Sequence, residues 1–161
     1  MSRNTHCFET GESLFKLKKV ILSRWEELVR EVILNSKHEP SIILLDHIPD
    51  LIDQLINILR NGEVHEEELG KSHGFQRAML TSYSVADLLT EFSLLRETLI
   101  NYLYPMGDKD CAKLVHKFID ILSKHSTIEF INDLSMKQSL HRQVMGSESK
   151  EIKNNPIIDT H

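Results

Sequence analysis

The sequence predicts an all-α protein, an amphipathic helical bundle of about five helices with a long C-terminal helix. Apolar residues recur at three- and four-residue steps along most of the chain. No stretch alternates in the way a half-buried strand does. Helix punctuation also falls between the periodic stretches, at Pro49, Gly62, Ser84 with Asp87, and Pro105. The 161 residues suit one domain plus an extension, and 40% hydrophobic content is enough for a core without metal or disulfides.

The first helix lies in "SLFKLKKVILSRWEELVREVIL", where Leu14, Leu17, Ile21, Trp25, Leu28 and Val32 form one stripe. Ser13 is the expected cap, with residues 1–12 a flexible N-terminus. The break at "NSKHEPS" contains Pro40, which disfavours helix at the residue before it. In "SIILLDHIPDLIDQLINILRNG", Leu44, Leu45, Ile48, Leu51, Ile52, Leu55, Ile56 and Leu59 share a face. Pro49 belongs in the first turn of this second helix, Asp46 near its cap, and Gly62 at its stop.

The third helix, in "EVHEEELGKSHGFQRAMLTSY", has an acidic start and two interior glycines, Gly70 and Gly74. Each glycine costs about 1 kcal/mol relative to alanine, so the pair points to close packing or a bend. His73 and Arg77 lie four apart, forming a polar strip beside Gly74. Ser84 and Asp87 form a variant capping box for the fourth helix. On a helical wheel, Val85, Leu88, Leu89, Phe92, Leu99 and Leu103 occupy an arc of about 100° with Arg96 near its middle and Glu91 at its rim. An arginine in that stripe must extend outward along its stem or meet a carboxylate or carbonyl from another element.

The fifth helix starts near Asp108 with a stripe of Cys111, Leu114, Val115, Phe118, Ile121 and Leu122. Beyond His125 the apolar phase shifts to Ile128, Ile131 and Leu134, with Phe130 on another side. A helix of about 35 residues is roughly 50 Å long, longer than the bundle is wide, so its end must project or pair. The expected divisions are a helical domain at 13–135, a helix extension at 136–145 and a disordered polar tail at 146–161.

The segments "LLDHIPDLIDQLINIL", "HGFQR" and "SYSVADLLTEFSLLRETL" together resemble the RsbRD-type N-terminal domain, a bacterial module of sensor histidine kinases and stressosome co-antagonists. The pattern maps onto Pro49, His73 with Arg77, and Glu91, Phe92, Leu95 and Arg96, and Trp25 also fits. The similarity runs from about Leu14 to Leu134. It implies an all-α regulatory input domain that dimerises and passes a conformational change down its last helix to a kinase or other signalling output. It also implies a globin-like arrangement without haem as an alternative to a plain bundle. Nothing in the chain resembles the kinase's phosphoacceptor helix, its nucleotide-binding glycine motifs or a STAS domain. The output is therefore expected on a separate protein or on the remainder of a larger kinase.

The functional expectation is a non-enzymatic sensory or regulatory homodimer without a cofactor, in which His73, Arg77, Glu91 and Arg96 bind a ligand or act as the switch. The net charge of −5 and pI near 6.0 argue against nucleic acid as a partner. The chain shows no apolar signal core and no run of about 18 apolar residues, so a cytoplasmic location is expected. Cys7 and Cys111 form no CxxC pair, and no disulfide framework is expected. The competing reading is a haem- or metal-binding globin-like sensor with His73 or His116 as ligand. No HExxH or Cys–His ribbon spacing supports it, and Cys111 and His116 are five apart, a poor angle for shared ligation. A third reading is a histidine phosphotransfer protein acting through His47 or His116.

Overall fold

The computed structural model describes residues 5–36, 47–62, 67–105 and 109–153, with side chains described at 7–35, 47–62, 67–105 and 109–147. It is all-helical over those residues, with five α-helices: α1 (Thr5–Val32), α2 (Ile48–Asn61), α3 (Glu67–Ala78), α4 (Val85–Leu103) and α5 (Lys109–Lys153). A short 3-10 turn, Leu34–Ser36, follows α1. Helix α1 packs on α2 and α4, while α5 packs most extensively on α3 and also on α4. Trp25, Phe92, Phe118 and Phe130 are among the buried side chains of the shared core.

Helix α1 starts at Thr5, so Ser13 lies inside it and residues 5–12 are helical rather than a flexible lead-in. The reason is a buried face that begins earlier, at Cys7, Thr10, Gly11 and Leu14, with the i, i+3, i+4, i+7 spacing of one helix side. Gly11 contributes by its size. A Cβ there would stand 3.2–3.3 Å from Arg60, the Ile56 carbonyl oxygen and Leu59, so α2 comes close at this point. At the other end the buried face passes through Val29 and Ile33, leaving Val32 half exposed.

Pro49 occupies the first turn of α2, and Gly62 ends it in the left-handed conformation at φ 77°. His47 stands at the N-cap without a side-chain cap bond. Pro40, Leu44, Leu45 and Asp46 fall outside the described residues. The expected face from Ile48 to Leu59 is buried throughout. The Ser84–Asp87 capping box is formed in both directions at the start of α4.

Gly70 and Gly74 mark the tightest junction, where α3 crosses α5. A Cβ on Gly74 would lie 2.1 Å from the Ser126 carbonyl oxygen, and one on Gly70 would lie 2.8 Å from the His125 Cβ. The Ser126 hydroxyl donates to the Gly70 carbonyl at 2.8 Å, fixing the register of the two helices. The polar Ser126 is therefore a core residue, and the buried face of α5 continues without a phase shift from Leu122 through Ser126 to Phe130. Ile128 and Ile131, expected inside, are exposed on the opposite side, and Phe130 is fully buried.

Helix α5 extends to Lys153, roughly 70 Å end to end, so residues 146–153 continue the helix. Residues 154–161 of the expected tail fall outside the described residues. Lys137 anchors this stretch of α5 to the bundle: its Nζ donates to the Ala78 carbonyl at the end of α3 (2.8 Å) and pairs with Asp133 at 2.9 Å. Every side chain from residue 135 to 147 is exposed.

Cys7 and Cys111, 104 residues apart, form a disulfide with their Cα atoms 5.4 Å apart. This corrects the expectation of two unrelated cysteines. Their pairing follows from α1 and α5 starting at the same end of the bundle, a consequence of folding that residue spacing does not encode.

Gly74→Ala separates propensity from packing. Helix propensity favours alanine by about 1 kcal/mol, but the methyl group collides with backbone, so a net loss of about 2 kcal/mol is expected by urea denaturation. Gly146→Ala, where a Cβ meets nothing within 4 Å, should leave the urea midpoint unchanged or slightly raised. Equal behaviour of the two variants would refute the close crossing.

Candidate functional site

The stripe of α4 that enters the core consists of Leu88, Glu91, Phe92, Leu95, Thr98, Leu99 and Leu103. The charged residue facing inward is therefore Glu91, and Arg96 lies at the margin. Leu89 is half exposed, which shows how far the true face is rotated from the expected arc. Burial of a carboxylate is tolerated only when other groups replace its water, and here α3 and the α3–α4 turn supply them.

Helix α3 supplies Arg77, which is fully buried and grips Glu91 as a two-pronged fork. Its Nε donates to Oε2 at 2.8 Å and its Nη2 to Oε1 at 2.6 Å. This planar pairing is the strongest geometry available to a carboxylate and a guanidinium. The α3–α4 turn contributes Tyr83, whose hydroxyl donates to Oε2 at 2.6 Å. Helix α1 contributes Trp25, whose indole N–H donates to the Glu91 backbone carbonyl at 3.4 Å.

His73, one turn before Arg77, brings Nε2 to 3.1 Å from Oε1. Neither of its ring nitrogens has the alignment of a hydrogen bond, so this contact is electrostatic. The ring also packs against Phe92 at 5.1 Å between centroids.

The charge states follow from these contacts. Burial alone would raise the Glu91 carboxyl, but the charged, doubly hydrogen-bonded Arg77 guanidinium outweighs it and holds the group well below the usual carboxylate range. Burial lowers His73, against a smaller opposing pull from Glu91, so its imidazole is held neutral. Burial works against the charge on Arg77, yet Glu91 more than offsets it and keeps the guanidinium protonated. Burial and the neighbouring carboxylate both raise Tyr83, which remains a hydrogen-bond donor. The site is thus an anion held by one cation and one phenol, with a neutral imidazole beside it.

Of the four expected residues, the structure brings His73, Arg77 and Glu91 together and leaves Arg96 apart. Arg96 is one-third exposed and pairs across to α5 with Asp120 at 2.5 Å, its Nη1 lying 3.4 Å from His116 Nδ1. It reaches outward along its stem and meets a carboxylate from another element, so both expected solutions are realised together. Tyr83 was not anticipated, because it lies in the turn before the capping box, where helical periodicity gives no signal. Glu91 could have been found from Leu88 and Leu95, which bracket it at three- and four-residue steps.

The residues of the alternative readings are dispersed. His73 faces a carboxylate and an aromatic ring inside the core, whereas His116 is exposed beside Arg96. Among the described residues, no three His, Cys, Asp or Glu side chains are grouped to hold a metal ion. His47 is partly buried, with its Nε2 against the Gln76 amide. No described helix is long and apolar enough to cross a membrane.

Fold and site together define a class, a helical bundle that carries a buried Arg–Glu–Tyr network at the junction of three helices. No family model matches the chain, and neither a curated protein nor a solved structure matches it.

The linkage sign is the same for both perturbed acid–base groups. His73 is depressed, so the unfolded chain binds the extra proton once pH falls below about 6.5. Glu91 is depressed too, so its stabilisation is present above about pH 4.3 and lost as pH falls further. Stability measured by urea midpoint should decline gently from neutral pH and steeply below about 4.5, and a flat acid limb would contradict the network.

Glu91→Ala strands the Arg77 cation and should cost about 3–5 kcal/mol. Arg96→Ala should cost about 1 kcal/mol or less. Thermal melts of the two variants side by side test that ranking.

Proposed function

We propose that this chain is a non-enzymatic regulatory module of bacterial signal transduction, of the RsbRD type, working as a homodimer in the cytoplasm. Its long last helix carries the conformational state of the bundle to a kinase or other output. The observation that carries the reading is the placement of the buried Arg77–Glu91 fork relative to α5. The fork joins α3 to α4, α3 locks onto α5 through Gly70, Gly74 and Ser126, and α5 then continues past the bundle with every side chain exposed from 135 to 147.

A buried ion pair adds little net stability compared with apolar residues of the same size, but it enforces one arrangement, because half a pair is costly. Shifting α3 against α4 would break the fork, so the bundle favours discrete packings over a continuum. A ligand or partner that binds one packing better shifts the population, and α5 is the rigid element positioned to report it. His73 and Arg77 on α3, with Glu91 on α4, are the bistable contact. Arg96, paired with Asp120, is a second tie between α4 and α5.

The homodimer is supported by the free length of α5. An uncovered helix of this size is marginal in water without a partner for its apolar side chains. Met136, Leu140 and Val144 lie at four-residue steps there and are more than half exposed.

Light scattering of the full chain should give a dimer at micromolar concentration. A chain ending at residue 134 should be monomeric with a similar far-UV spectrum per residue of bundle. A monomeric full chain, cut rapidly by protease within 136–147, would remove the dimeric relay.

A further inference from the structure

Cys7 and Cys111 occupy equivalent places, each in the first turn of its helix and each almost fully buried. The Thr10 hydroxyl lies 3.6 Å from the Cys111 sulfur and donates to it. The bond closes a loop of 104 residues that spans α1 to α4, and it ties the start of α1 directly to the start of α5.

We propose that this pair is a reversible redox latch, closed as a disulfide and open as two buried thiols. Three features favour a latch over a permanent staple. Both oxidation states can be packed, because a buried thiol behaves as a small apolar side chain and Cα atoms 5.4 Å apart accommodate either form. The first turn of a helix points free N–H groups and the positive end of its dipole at nearby negative charge, so a sulfur released at either position is stabilised as it leaves. Helix ends also open more readily than helix centres, so loosening one turn of α1 admits a small thiol without unfolding the core.

The chemistry is thiol–disulfide exchange with a low-molecular-weight disulfide such as oxidised glutathione. One protein thiolate attacks the small disulfide, forming a mixed disulfide and expelling one small thiolate. The second protein thiolate attacks the protein sulfur of that mixed disulfide, forming the Cys7–Cys111 bond and expelling a second small thiolate. Two protein thiols are oxidised, one small disulfide is reduced to two thiols, and the two protons pass to the leaving thiolates. In a reducing compartment the pair rests as thiols, and an oxidising episode closes it. The closed form fastens α1 to the helix that leaves the bundle, stiffening the base of α5 at the end opposite its free tip.

The test uses the full chain, equilibrated without denaturant at a series of reduced-to-oxidised glutathione ratios. Samples are quenched with acid, alkylated in denaturant and read as intact mass and mapped peptides. The expected result is loss of two alkylation sites together as the ratio becomes oxidising, with a Cys7–Cys111 cross-linked peptide and full recovery of both thiols on return to reduced glutathione. The oxidised form should melt higher by about 10 °C, with amide exchange over residues 7–14 slowed at least tenfold. Cys7→Ser should abolish the dependence of melting on the ratio. If that variant does not fold, the two redox forms of the wild-type chain carry the comparison. Thiols that stay alkylatable at every ratio overturn the proposal, and so does a bond that yields to reduced glutathione only after denaturation.

Discussion

The Glu91 carboxylate is the constraint around which the rest of the bundle is arranged. A charge in a core is tolerable only where other groups take over the role of water, and each replacement here comes from a different part of the chain. The Arg77 fork fixes α3 against α4, the Tyr83 hydroxyl fixes the turn between them, and the Trp25 indole reaches the Glu91 backbone from α1. None of these bonds need raise net stability relative to an apolar core. Their joint effect is geometric, because displacing any one element leaves a buried polar group without its partner.

The second constraint is steric and lies one helix turn away. Gly74 sits between His73 and Arg77, and its missing side chain lets α3 approach the backbone of α5 at Ser126. The residues that hold the buried charge and the residue that permits the tightest contact in the fold are thus consecutive or nearly so. Rotation of α3 about its axis would break the fork and drive side chains into α5 together. This linkage makes a coupled, discrete rearrangement physically reasonable and ties the electrostatic network to the helix that extends from the bundle.

Much of the site was legible in the residues, but its centre was misassigned. His73 and Arg77 were recognisable as a polar strip because their spacing and the adjacent glycine are local facts. Arg96 attracted attention because the wheel included Leu89, an apolar residue that proves to be half exposed. The arc also left out Leu95 and Thr98, which are buried, so Glu91 fell at its rim. The same kind of omission hid Ser126, which interrupts the apolar phase of α5 and yet belongs to its core face, and so moved Phe130 outside and Ile128 inside.

The sequence by itself determined that the chain is helical, where α2 stops and how α4 is capped, because periodicity, the left-handed Gly62 and the Ser84–Asp87 box act within a few residues. It also carried the close-packing message of Gly70 and Gly74, whose cost in a helix demands a compensating contact. Tertiary structure alone decided which charge turns inward, that Tyr83 completes its shell, and that Cys7 meets Cys111. Those outcomes depend on which helices become neighbours, and burial of a polar group is decided by partners that lie far away along the chain.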